Sequence, residues 1–532
     1  MANYDYDWIV IGSGFGGSVS ALRLAEKGYR VAVIECGRRF ADDEFAERLS
    51  QLSRSLWMPK LGMKGILRIS KFKDVMILSG SGVGGGSLVY AQTLYRAPSR
   101  FFEEWKLVSG DAADLEVHYA EAERMLGVVT HPRRTERDNL FASVAADMGV
   151  PDSFHATPVG VYFGKPGVTA ADPFFSGAGP ERAGCIECGQ CLLGCRYNAK
   201  NTLPKNYLWL AERLGVEIIA ERTVTWIEPL GAGDGTDGYT VTSERTGAWI
   251  RKDARTLTAR GVVVAGGALG TNELLARCKA SGALPAISDR LGHLVRTNSE
   301  SLTAVTVPED RGWWQSVTIT SSMHPDDDTH SETVTYGTGG DLFSLMFTVL
   351  TPGGTRLSRP LKLLARTLRH PVRFGKQAKI REWSRRTIIT GVMQTLDNAM
   401  RFVPRRTLTG KITIQTRQDP DKPNPTFLPY ANEVAQRLAD KTGGIAQSWA
   451  GEVLLNTPVT AHILGGAVTG IDPSRGVIDM NHRVFGYQNL LVCDGAAVPA
   501  NPGVNPSLTI TAMAERAMAT VPERHLTGWS GG

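Results

Sequence analysis

Apolar and polar positions at the start of the chain alternate in blocks that predict a βαβ unit. Tyr6–Ile11 is an apolar run of the length of a buried strand, and Gly12–Gly17 follows it as a tight turn. Ser18–Lys27 has helical periodicity, and Tyr29–Glu35 is the next predicted strand. A strand, a crossover helix and a second strand predict two parallel neighbours in one sheet.

Similar blocks recur further along the chain. Val216–Val224 and Gly261–Ala265 are predicted strands, and a helix is predicted from Asn272. Near the end, Asn489–Cys493 is a predicted strand and Ser507–Ala519 a predicted helix. Between these blocks, Thr-rich and Val-rich runs predict further strands, which we assign mainly to a second domain.

Size and composition are those of a globular protein with two domains. The chain has 532 residues, which is too long for one ordinary core. Of these residues, 42% are hydrophobic and 21% are charged, as in ordinary globular proteins. The net charge of +6 is modest for this length and does not indicate nucleic acid binding. No stretch approaches the roughly 20 apolar residues that span a bilayer, and the first strand leaves no room for a signal peptide. We therefore expect a cytoplasmic protein.

The first glycine cluster has the spacing of a dinucleotide-binding turn. Gly12, Gly14 and Gly17 form the pattern G-x-G-x-x-G between a strand and a helix, and Glu35 ends the next strand. In this context the helix start attracts phosphates and Glu35 accepts hydrogen bonds from ribose hydroxyls, which disfavours a 2′-phosphate. The predicted cofactor contacts here are Gly12, Gly14, Phe15, Gly16, Gly17 and Glu35.

A second glycine cluster favours FAD over NAD. Gly80–Ser87 offers successive free N–H groups and a hydroxyl, which suit a second part of an extended two-phosphate cofactor. Asp494, just after a strand, has a carboxylate that could accept from a ribityl hydroxyl. The predicted contacts in this cluster are Gly80, Gly82, Gly85, Gly86 and Ser87.

With these motifs in place, the sequence resembles the glucose-methanol-choline (GMC) oxidoreductase family, and within it the bacterial cholesterol oxidases. The resemblance covers nearly the whole chain. Its anchors are Gly12–Gly17 with Glu35, Gly80–Ser87, Val264–Leu275, Ala461–Gly466 and Val484–Glu515.

The resemblance implies an α/β fold with two discontinuous domains. One is a Rossmann-like FAD-binding domain, and the other is an α+β substrate domain built on an antiparallel sheet. The expected FAD-binding segments are residues 1–40, 78–145, 216–300 and 462–524. The expected substrate-domain segments are residues 41–77, 146–215 and 301–461.

The resemblance also implies the site residues. His462 corresponds to the active-site histidine and Asn505 to its partner. A neutral imidazole can take the proton of a substrate hydroxyl while a hydride passes to the flavin, and an amide can orient the same oxygen. Further implied flavin contacts are Val224, Gly266, Asp494, Gly495, Asn505 and Pro506.

The sequence departs from cholesterol oxidases at two places. Where those enzymes carry an Asn near the flavin after the second glycine cluster, this chain has Leu88, Val89 and Tyr90. Those enzymes also use a substrate-domain Glu, for which no motif marks a counterpart; Glu382 is the candidate. Isomerisation of a double bond after oxidation depends on that residue.

Four of the seven cysteines lie within eleven residues, at Cys185, Cys188, Cys191 and Cys195. This spacing is ferredoxin-like and could hold an iron–sulfur cluster. A zinc site and structural cysteines, either reduced or in disulfides, are the alternatives.

Residues 356–386 form a basic stretch with eleven Lys or Arg against one acid, interleaved with apolar residues. It is either a solvated helical face or a surface that docks on an anionic membrane. Its apolar residues are Leu361, Leu363, Leu364, Leu368, Val372, Phe374 and Trp383.

Three hypotheses of function follow. The first is an FAD-dependent oxidation of a secondary hydroxyl on a sterol or another bulky apolar alcohol, with oxygen or another electron acceptor. The second is a flavin dehydrogenase that passes electrons through a cluster at Cys185–Cys195 to a quinone or carrier. The third is a flavin-containing protein that binds lipid or membrane without turnover.

Overall fold

The computed structural model describes residues 4–109, 115–369, 371–372, 375, 381–408 and 410–527. The apolar run Tyr6–Ile11 forms a strand inside a seven-stranded sheet, with parallel neighbours on both sides. The order is Glu217–Ile219, Val31–Ile34, Tyr6–Ile11, Arg255–Val264, Tyr239–Arg245 and Arg222–Pro229, and Leu490–Val492 also pairs with Arg255–Val264. The pairs between the first four strands of this order are parallel, and so is the pair of Leu490–Val492 with Arg255–Val264. Tyr239–Arg245 is antiparallel to both of its neighbours.

Two helices begin earlier than the sequence predicts, because their glycines are helical. The helix after the first strand is Phe15–Glu26, with Gly14 as its N-cap, and the later helix is Gly267–Ala280, with Gly266 as its N-cap. We expected starts at Ser18 and Asn272. In the first helix, a Cβ at Gly16 or Gly17 would lie 1.7 Å or 2.0 Å from the carbonyl oxygen of Cys493 or Gly12, so close backbone packing overrides the low helix propensity of glycine. In the second helix, a Cβ at Gly267 would meet nothing within 4 Å.

The predicted strand Val216–Val224 is in fact interrupted. It is split into Glu217–Ile219 and Arg222–Pro229, with Glu221 between them at a φ of 60°. The left-handed conformation at Glu221 breaks the extended chain. The strand Tyr6–Ile11 and the helix Ser507–Ala519 have the predicted bounds.

The helix Phe15–Glu26 packs on Ser507–Ala519, which in turn packs on Glu116–Leu126. Arg23 links the three helices, because its guanidinium contacts Glu515 at 2.7 Å and also Glu121 and Glu26. The apolar face between these helices and the first sheet forms the largest buried cluster.

The middle of the chain forms a second, wholly antiparallel seven-stranded sheet. Its order is Phe347–Val349, Ile445–Trp449, Ser301–Thr306, Thr387–Gln394, Thr329–Val334, Ile319–Asp326 and His155–Ala156. The helix Pro429–Thr442 covers strands of this sheet. This mixed α/β architecture with an antiparallel second sheet is the predicted fold class. The segment boundaries of the two domains stay a prediction.

Smaller sheets complete the fold. A four-stranded sheet consists of Ile412–Gln418, Met400–Arg406, His293–Arg296 and Leu464–Gly466. A three-stranded sheet consists of Val459–Thr460, Met76–Gly80 and Leu67–Lys71. Two-stranded pairs are Thr169–Ala170 with Arg182–Ala183, Trp57–Met58 with Met63–Lys64, and Val129–Thr130 with Pro158–Val159. Further α-helices among the described residues are Leu52–Ser55, Ser99–Ser109, Glu136–Asp147, Tyr207–Arg213, Ser358–Arg369 and Ala450–Leu455.

Within the described residues, the helices fall short of the length and apolarity that crossing a bilayer requires.

Candidate active site

A cavity of about 330 Å³ lies where glycine-rich loops of the first sheet meet the antiparallel sheet. The parallel strands Tyr6–Ile11 and Arg255–Val264 end at this point, and their following turns contribute Gly14 and Gly266 to its wall. Ligands of open α/β sheets bind at the carboxyl ends of parallel strands. The cavity therefore occupies the expected place for a cofactor.

The first three motif glycines have different geometries. A Cβ at Gly12, where φ is 101°, would lie 2.3 Å from the carbonyl oxygen of Ala265, and a Cβ at Gly17 would lie 2.0 Å from that of Gly12. A Cβ at Gly14 would meet nothing within 4 Å, because Gly14 borders the cavity. Gly12 and Gly17 are thus required for packing of the protein itself, whereas Gly14 leaves room for a ligand.

Glu35 joins the two predicted glycine loops through Ser13. Its buried carboxylate accepts hydrogen bonds from the Ser13 backbone N–H at 3.0 Å and the Ser13 hydroxyl at 2.8 Å. The Ser13 hydroxyl oxygen accepts in turn from the Gly84 N–H at 3.0 Å. Gly80 and Gly86, on either side of Gly84, line the cavity. The two motifs that suggested FAD therefore form one continuous surface.

Asp494 holds a third loop of the wall. Its carboxylate accepts from the Thr271 hydroxyl and from the Ala496 N–H at 2.8 Å. Burial raises the pKa of Asp494 to about 6, although these hydrogen bonds oppose the shift. The helix Ser507–Ala519 begins nearby, and Pro506 at its N-cap lines the cavity. This end of the helix carries a partial positive charge.

Glu300 contacts the side chain of His462 at the far side of the cavity. The Glu300 carboxylate lies within ion-pair distance of His462 Nδ1, and its other oxygen accepts from the Ala461 N–H at 2.6 Å. The segment Ala461–Leu464 leads into the strand Leu464–Gly466, whose pairing with His293–Arg296 fixes its course. With Nδ1 directed at Glu300, the imidazole turns Nε2 towards Asn505.

Asn505 lies between the imidazole and a second carboxylate. Its Nδ2 is 3.5 Å from His462 Nε2 and 3.4 Å from Glu332 Oε1. Its buried Oδ1 has no hydrogen-bond partner among the described residues. All three side chains line the cavity, so they present two bases and an amide to one point.

The electrostatics of this group raise the pKa of His462. Burial by itself lowers it, but the Glu300 carboxylate beside Nδ1 and the nearby Glu332 carboxylate more than offset that effect. The imidazole is therefore easier to protonate than an ordinary histidine. An imidazole that accepts a proton from a ligand here is stabilised by Glu300 in its charged form.

The cavity wall opposite the glycine loops is largely apolar. It is built by side chains of the antiparallel sheet, by Phe343 of the 3₁₀-helix Asp341–Met346 and by two leucines of the 3₁₀-helix Cys191–Leu193. These apolar side chains are Leu192, Leu193, Leu302, Ile319, Val334, Phe343, Ile389 and Val392. Such a wall favours a bulky apolar ligand with one polar group.

The structure brings most of the predicted site residues together. Those that line the cavity are Gly14, Phe15, Gly16, Gly80, Gly86, Gly266, His462, Asp494, Gly495, Asn505 and Pro506. Gly12, Gly17, Glu35, Gly82, Gly85, Ser87 and Val224 are not part of its wall. The first six of these lie in or beside the glycine loops, whereas Val224 is buried in the strand Arg222–Pro229. Their roles as cofactor contacts stay a prediction.

Sequence reasoning missed Glu300 and Glu332, and its candidate Glu382 was wrong. Glu382 is exposed, and its backbone N–H donates to Asp341 at 3.0 Å, away from the cavity. Glu300 precedes the strand Ser301–Thr306 and Glu332 lies within Thr329–Val334. A buried acid in a run of Thr and Val was the available signal, since acids are seldom buried without a function or a partner.

The departure at Leu88–Tyr90 has a structural counterpart. Tyr90 lines the cavity, packs edge-on against Phe15 with ring centroids 5.6 Å apart, and donates its hydroxyl to the carbonyl of Asn201 at 2.7 Å. The ammonium of Lys200 lies 4.8 Å from the centre of the Tyr90 ring. An aromatic ring, rather than an amide, thus forms this part of the wall.

The four clustered cysteines are free thiols around a cavity of about 20 Å³. Among the described residues, no three His, Cys, Asp or Glu side chains are arranged to hold a metal ion. The buried ammonium of Lys200 donates to the carbonyl of Cys191 at 2.8 Å, and burial lowers its pKa to about 8. The cysteine contacts with Val159, Val161 and Val317 favour structural thiols over the iron–sulfur and zinc alternatives.

Comparison with known families agrees with this site. Two family models described as GMC oxidoreductase match residues 6–160 and 393–514. A cholesterol oxidase of Mycobacterium tuberculosis is 48% identical over 98% of this chain and 92% of its own length. The chain belongs to the GMC oxidoreductase family.

Other members of the GMC family agree in extent and fold. A cholesterol oxidase of Acinetobacter baumannii is 42% identical over 98% of this chain and 95% of its own length. The solved pyridoxine 4-oxidase from Mesorbium loti has a TM-score of 0.62 at 14% identity, over 97% of this chain and 99% of its own. The formate oxidase of Aspergillus oryzae has a TM-score of 0.64 at 13% identity, over 97% and 98%. These two structures show the shared fold.

As a GMC oxidoreductase, the chain is an FAD-dependent enzyme that oxidises alcohols. The glycine loops and the cavity fit the cofactor, since Gly14 leaves open space in the cavity wall and the helix Ser507–Ala519 begins at the cavity. The hypothesis of a flavin protein without turnover is thereby set aside.

Proposed function

We propose that this enzyme oxidises a secondary hydroxyl on a sterol or another bulky apolar alcohol, with His462 as the base. The observation that carries the proposal is the meeting of His462, Asn505 and Glu332 at one end of an otherwise apolar cavity. The similarity to two enzymes named cholesterol oxidase, at 48% and 42% identity over nearly the whole chain, supports a sterol.

In this proposal the chain's residues hold the hydroxyl and move its proton. His462 Nε2 accepts the proton, while Glu300 at Nδ1 keeps the ring oriented and stabilises its positive charge. Asn505 Nδ2 donates to the same substrate oxygen. When bound, FAD supplies the acceptor for the hydride of the carbinol carbon. The apolar wall excludes water from the ring system of the substrate.

The direct experiment is anaerobic mixing of the holoenzyme with a 3β-hydroxysterol and with a panel of smaller alcohols. We expect the flavin absorbance to bleach with the sterol faster than with the small alcohols. His462→Gln should slow bleaching about 10²–10⁴-fold, the usual contribution of a general base, with its FAD content unchanged. His293→Gln, at a half-buried histidine outside the cavity wall, is the matched control. Absence of bleaching across the panel would overturn the proposal.

The electron acceptor in this proposal is oxygen, as in the relatives named oxidases. The alternative of transfer through a cluster at Cys185–Cys195 has no support from the arrangement of the described thiols. Oxygen uptake with equal amounts of substrate consumed and peroxide formed tests the acceptor. A flavin that bleaches with sterol but is reoxidised only by a quinone or protein carrier would contradict it.

We also propose peripheral contact with an anionic membrane through the helix Ser358–Arg369. Leu361, Leu364 and Leu368 are exposed and follow helical spacing, so together with Leu357 they form one apolar stripe. The helix packs on Ala450–Leu455 and on the edge strand Phe347–Val349 of the antiparallel sheet, which leaves the leucines outward. Its exposed basic residues are Lys362, Arg366 and Arg369, whereas Arg359 is buried. Residues 370, 373–374 and 376–380 of the basic stretch, including Phe374, lie outside the described residues, and Trp383 is buried.

Sedimentation with phosphatidylcholine vesicles, with and without phosphatidylserine, tests this contact. We expect binding only with phosphatidylserine, because each basic residue near an anionic surface adds about 1 kcal/mol. The double variant Leu361→Ser with Leu368→Ser should weaken binding at least about tenfold, since it removes apolar area. Ile250→Ser, at an exposed apolar residue outside the stripe, is the control. Equal binding to both kinds of vesicle by all variants would argue against the contact.

A further inference from the structure

Three histidines and a tyrosine form a cluster behind Glu332, outside the wall of the cavity. His330 precedes Glu332 by two residues on the same strand, and its Nε2 lies 3.5 Å from Glu332 Oε2. His324 packs against His330 with ring centroids 5.0 Å apart. His155 stacks on His324 at 5.3 Å, with the two rings almost parallel. The imidazoles thus follow one another from an active-site carboxylate outwards.

The side chains become more exposed from Glu332 outwards along this series. Glu332 and His330 are almost completely buried, His324 is half-buried and His155 is exposed. The line therefore joins the inside of the active site to the solvent without passing through the cavity.

The antiparallel sheet produces this alignment. His330 and Glu332 lie on Thr329–Val334, His324 lies on Ile319–Asp326, and His155 belongs to the edge strand His155–Ala156. Residues two apart in a strand share a face. In register, Ser322 is paired with Glu332 on one side and with His155 on the other. The cluster thus crosses one face of the sheet from an inner strand to its edge.

Hydrogen bonds through Tyr95 run beside the stacked rings. The hydroxyls of Tyr95 and Ser322 are 2.7 Å apart, and Ser322 Oγ lies 3.0 Å from His155 Nε2. The Tyr95 ring packs edge-on against His330 at 4.9 Å. The hydrogen bonds thus run from Tyr95 through Ser322 to His155, whereas the contact of Tyr95 with His330 is one of ring packing.

His330 itself lacks the contacts that a structural histidine has. Both of its ring nitrogens are buried, and neither has a hydrogen-bond partner among the described residues. A buried polar group without a partner costs stability, so buried imidazoles are normally satisfied. By contrast, the buried His482 has its Nδ1 2.8 Å from the carbonyl of Val492. Proton transfer through a ring needs a partner at each nitrogen, and both nitrogens of His330 are available for one: Glu332 Oε2 lies 3.5 Å from Nε2, and Nδ1 is left for a water molecule.

We propose that His330, His324 and His155 conduct protons between the active-site carboxylate Glu332 and the solvent. The proposal rests on the function proposed above, in which the alcohol loses a hydroxyl proton to His462. After product leaves, water in the vacated space connects His462 and Glu332, which both face Asn505 Nδ2. Glu332 is then the inner end of the path.

Each transfer forms one bond to hydrogen and breaks one. The proton passes from Glu332 Oε2 to His330 Nε2, and His330 releases a proton from its other nitrogen to a water molecule, which protonates His324. A second water molecule takes a proton from His324 and gives one to His155, which releases one to the solvent. No electron moves, and every ring returns to its neutral form after its tautomer resets.

The charges around the path suit a conductor rather than a store of protons. Burial, together with the adjacent His330 and His155, lowers the pKa of His324 to about 4, and Asp326 opposes this only weakly. Although His155 as a whole is exposed, partial burial of its ring also lowers its pKa. At neutral pH these rings are uncharged and hand a proton on without holding it. Tyr95, whose pKa burial and Glu332 raise, stays protonated.

The test follows flavin bleaching and proton release in the same anaerobic mixing experiment, with holoenzyme, a 3β-hydroxysterol and a pH-indicator dye in weak buffer. In the wild type, proton release should follow bleaching and product release with no further delay. In His330→Phe, which fills a similar volume, proton release should lag at least about tenfold, the factor for about 1.4 kcal/mol of added barrier. Added imidazole should restore it. His293→Gln is the control for an unrelated histidine.

A second variant and a second readout guard against misfolding. His155→Gln alters an exposed side chain and should slow proton release in the same way. Exchange of histidine C2 protons, followed by mass spectrometry, gives the pKa of each ring without turnover. The pKa of His324 should rise in His330→Phe, since His330 lowers it. Proton release that tracks bleaching in both variants, or an unchanged His324 pKa, would overturn the path. Absence of bleaching in the wild type would instead overturn the proposed function.

Discussion

Glu300 determines how His462 presents its imidazole to the cavity. Its carboxylate contacts Nδ1, so the lone pair of Nε2 is left for a ligand. Burial lowers the pKa of His462, but Glu300 and Glu332 together more than offset this effect, so the pKa is raised. A base must be neutral to accept a proton, so the rate of flavin reduction should fall as the pH falls through this raised pKa.

Removing the Glu300 charge should move this pH profile. In Glu300→Gln the pKa of His462 falls, since burial then dominates, and the midpoint of the profile should shift to lower pH. The maximal rate should also fall, roughly tenfold or more, because the charged ring loses its partner. Bleaching rates measured across pH test both effects. A midpoint unmoved from that of the wild type would show that another group titrates.

Substitutions of two glycines of the first motif should have different effects, one on stability and the other on FAD binding. In Gly17→Ala the new Cβ would lie 2.0 Å from the Gly12 carbonyl, so the melting temperature should fall sharply, with a cost of about 1–3 kcal/mol or more. In Gly14→Ala the Cβ meets no protein atom, so the apoprotein should melt as the wild type does. Its FAD affinity should fall, because the methyl group enters the cavity. Melting of apoprotein and FAD titration separate the two; a stable Gly17→Ala would refute the packing role.

At the scale of elements, one buried arginine anchors the exposed helix Ser358–Arg369. Arg359 is fully buried, donates to the carbonyl of Thr426 at 2.8 Å and faces Glu452 at 3.7 Å. Burial raises the pKa of Glu452 to about 7, although Arg359 acts in the opposite direction. Loss of Arg359 would leave this carboxylate buried without its counter-charge.

Arg359→Met should therefore destabilise the fold by about 3–5 kcal/mol near neutral pH. The loss should grow as the pH rises above about 7, where Glu452 is ionised in the wild type, and level off at lower pH, where Glu452 is protonated and needs no partner. Urea denaturation at several pH values measures it. Leu361→Ser, on the exposed side of the same helix, should change stability by less than about 0.5 kcal/mol. Equal effects of the two variants would contradict the anchoring role.

At the scale of the whole molecule, the cofactor cavity ties together segments far apart in the chain. Gly14, Gly80, Gly266 and Asp494 reach it from four separate turns, and the antiparallel sheet closes it. A ligand in such a cavity binds the folded state and not the unfolded one. FAD at about 1,000 times its dissociation constant should add about 4 kcal/mol to the stability.

Removal of FAD should therefore lower the melting temperature, and added FAD should restore it in proportion to the logarithm of its concentration. Thermal melts of apoprotein over a range of FAD concentrations measure this. Riboflavin, which lacks the diphosphate and adenosine, should have little effect. A melting temperature independent of FAD would mean that the cavity does not hold it.

Local sequence was sufficient wherever a motif and its element are contiguous. The strand Tyr6–Ile11 and the helix Ser507–Ala519 were predicted, since strand, turn and helix signals lie side by side, but the turn predicted over Gly12–Gly17 ends at Gly14, where the helix Phe15–Glu26 begins. His462 and Asn505 were predicted from a family resemblance, and the structure places them 3.5 Å apart. Errors at helix starts came from glycines, whose low propensity hides their role in close packing.

Glu300, Glu332 and the cluster around His330 were decided only by the tertiary structure. Glu332 reaches Asn505, which lies 173 residues away in the chain, because strands of the antiparallel sheet pair in one register. A shift of that register by one residue would turn His330 and Glu332 to the other face. Sequence alone therefore determined the cofactor-binding motifs, whose backbone geometry is local. The carboxylates and histidines around the reacting hydroxyl depend on long-range strand pairing, which no local pattern encodes.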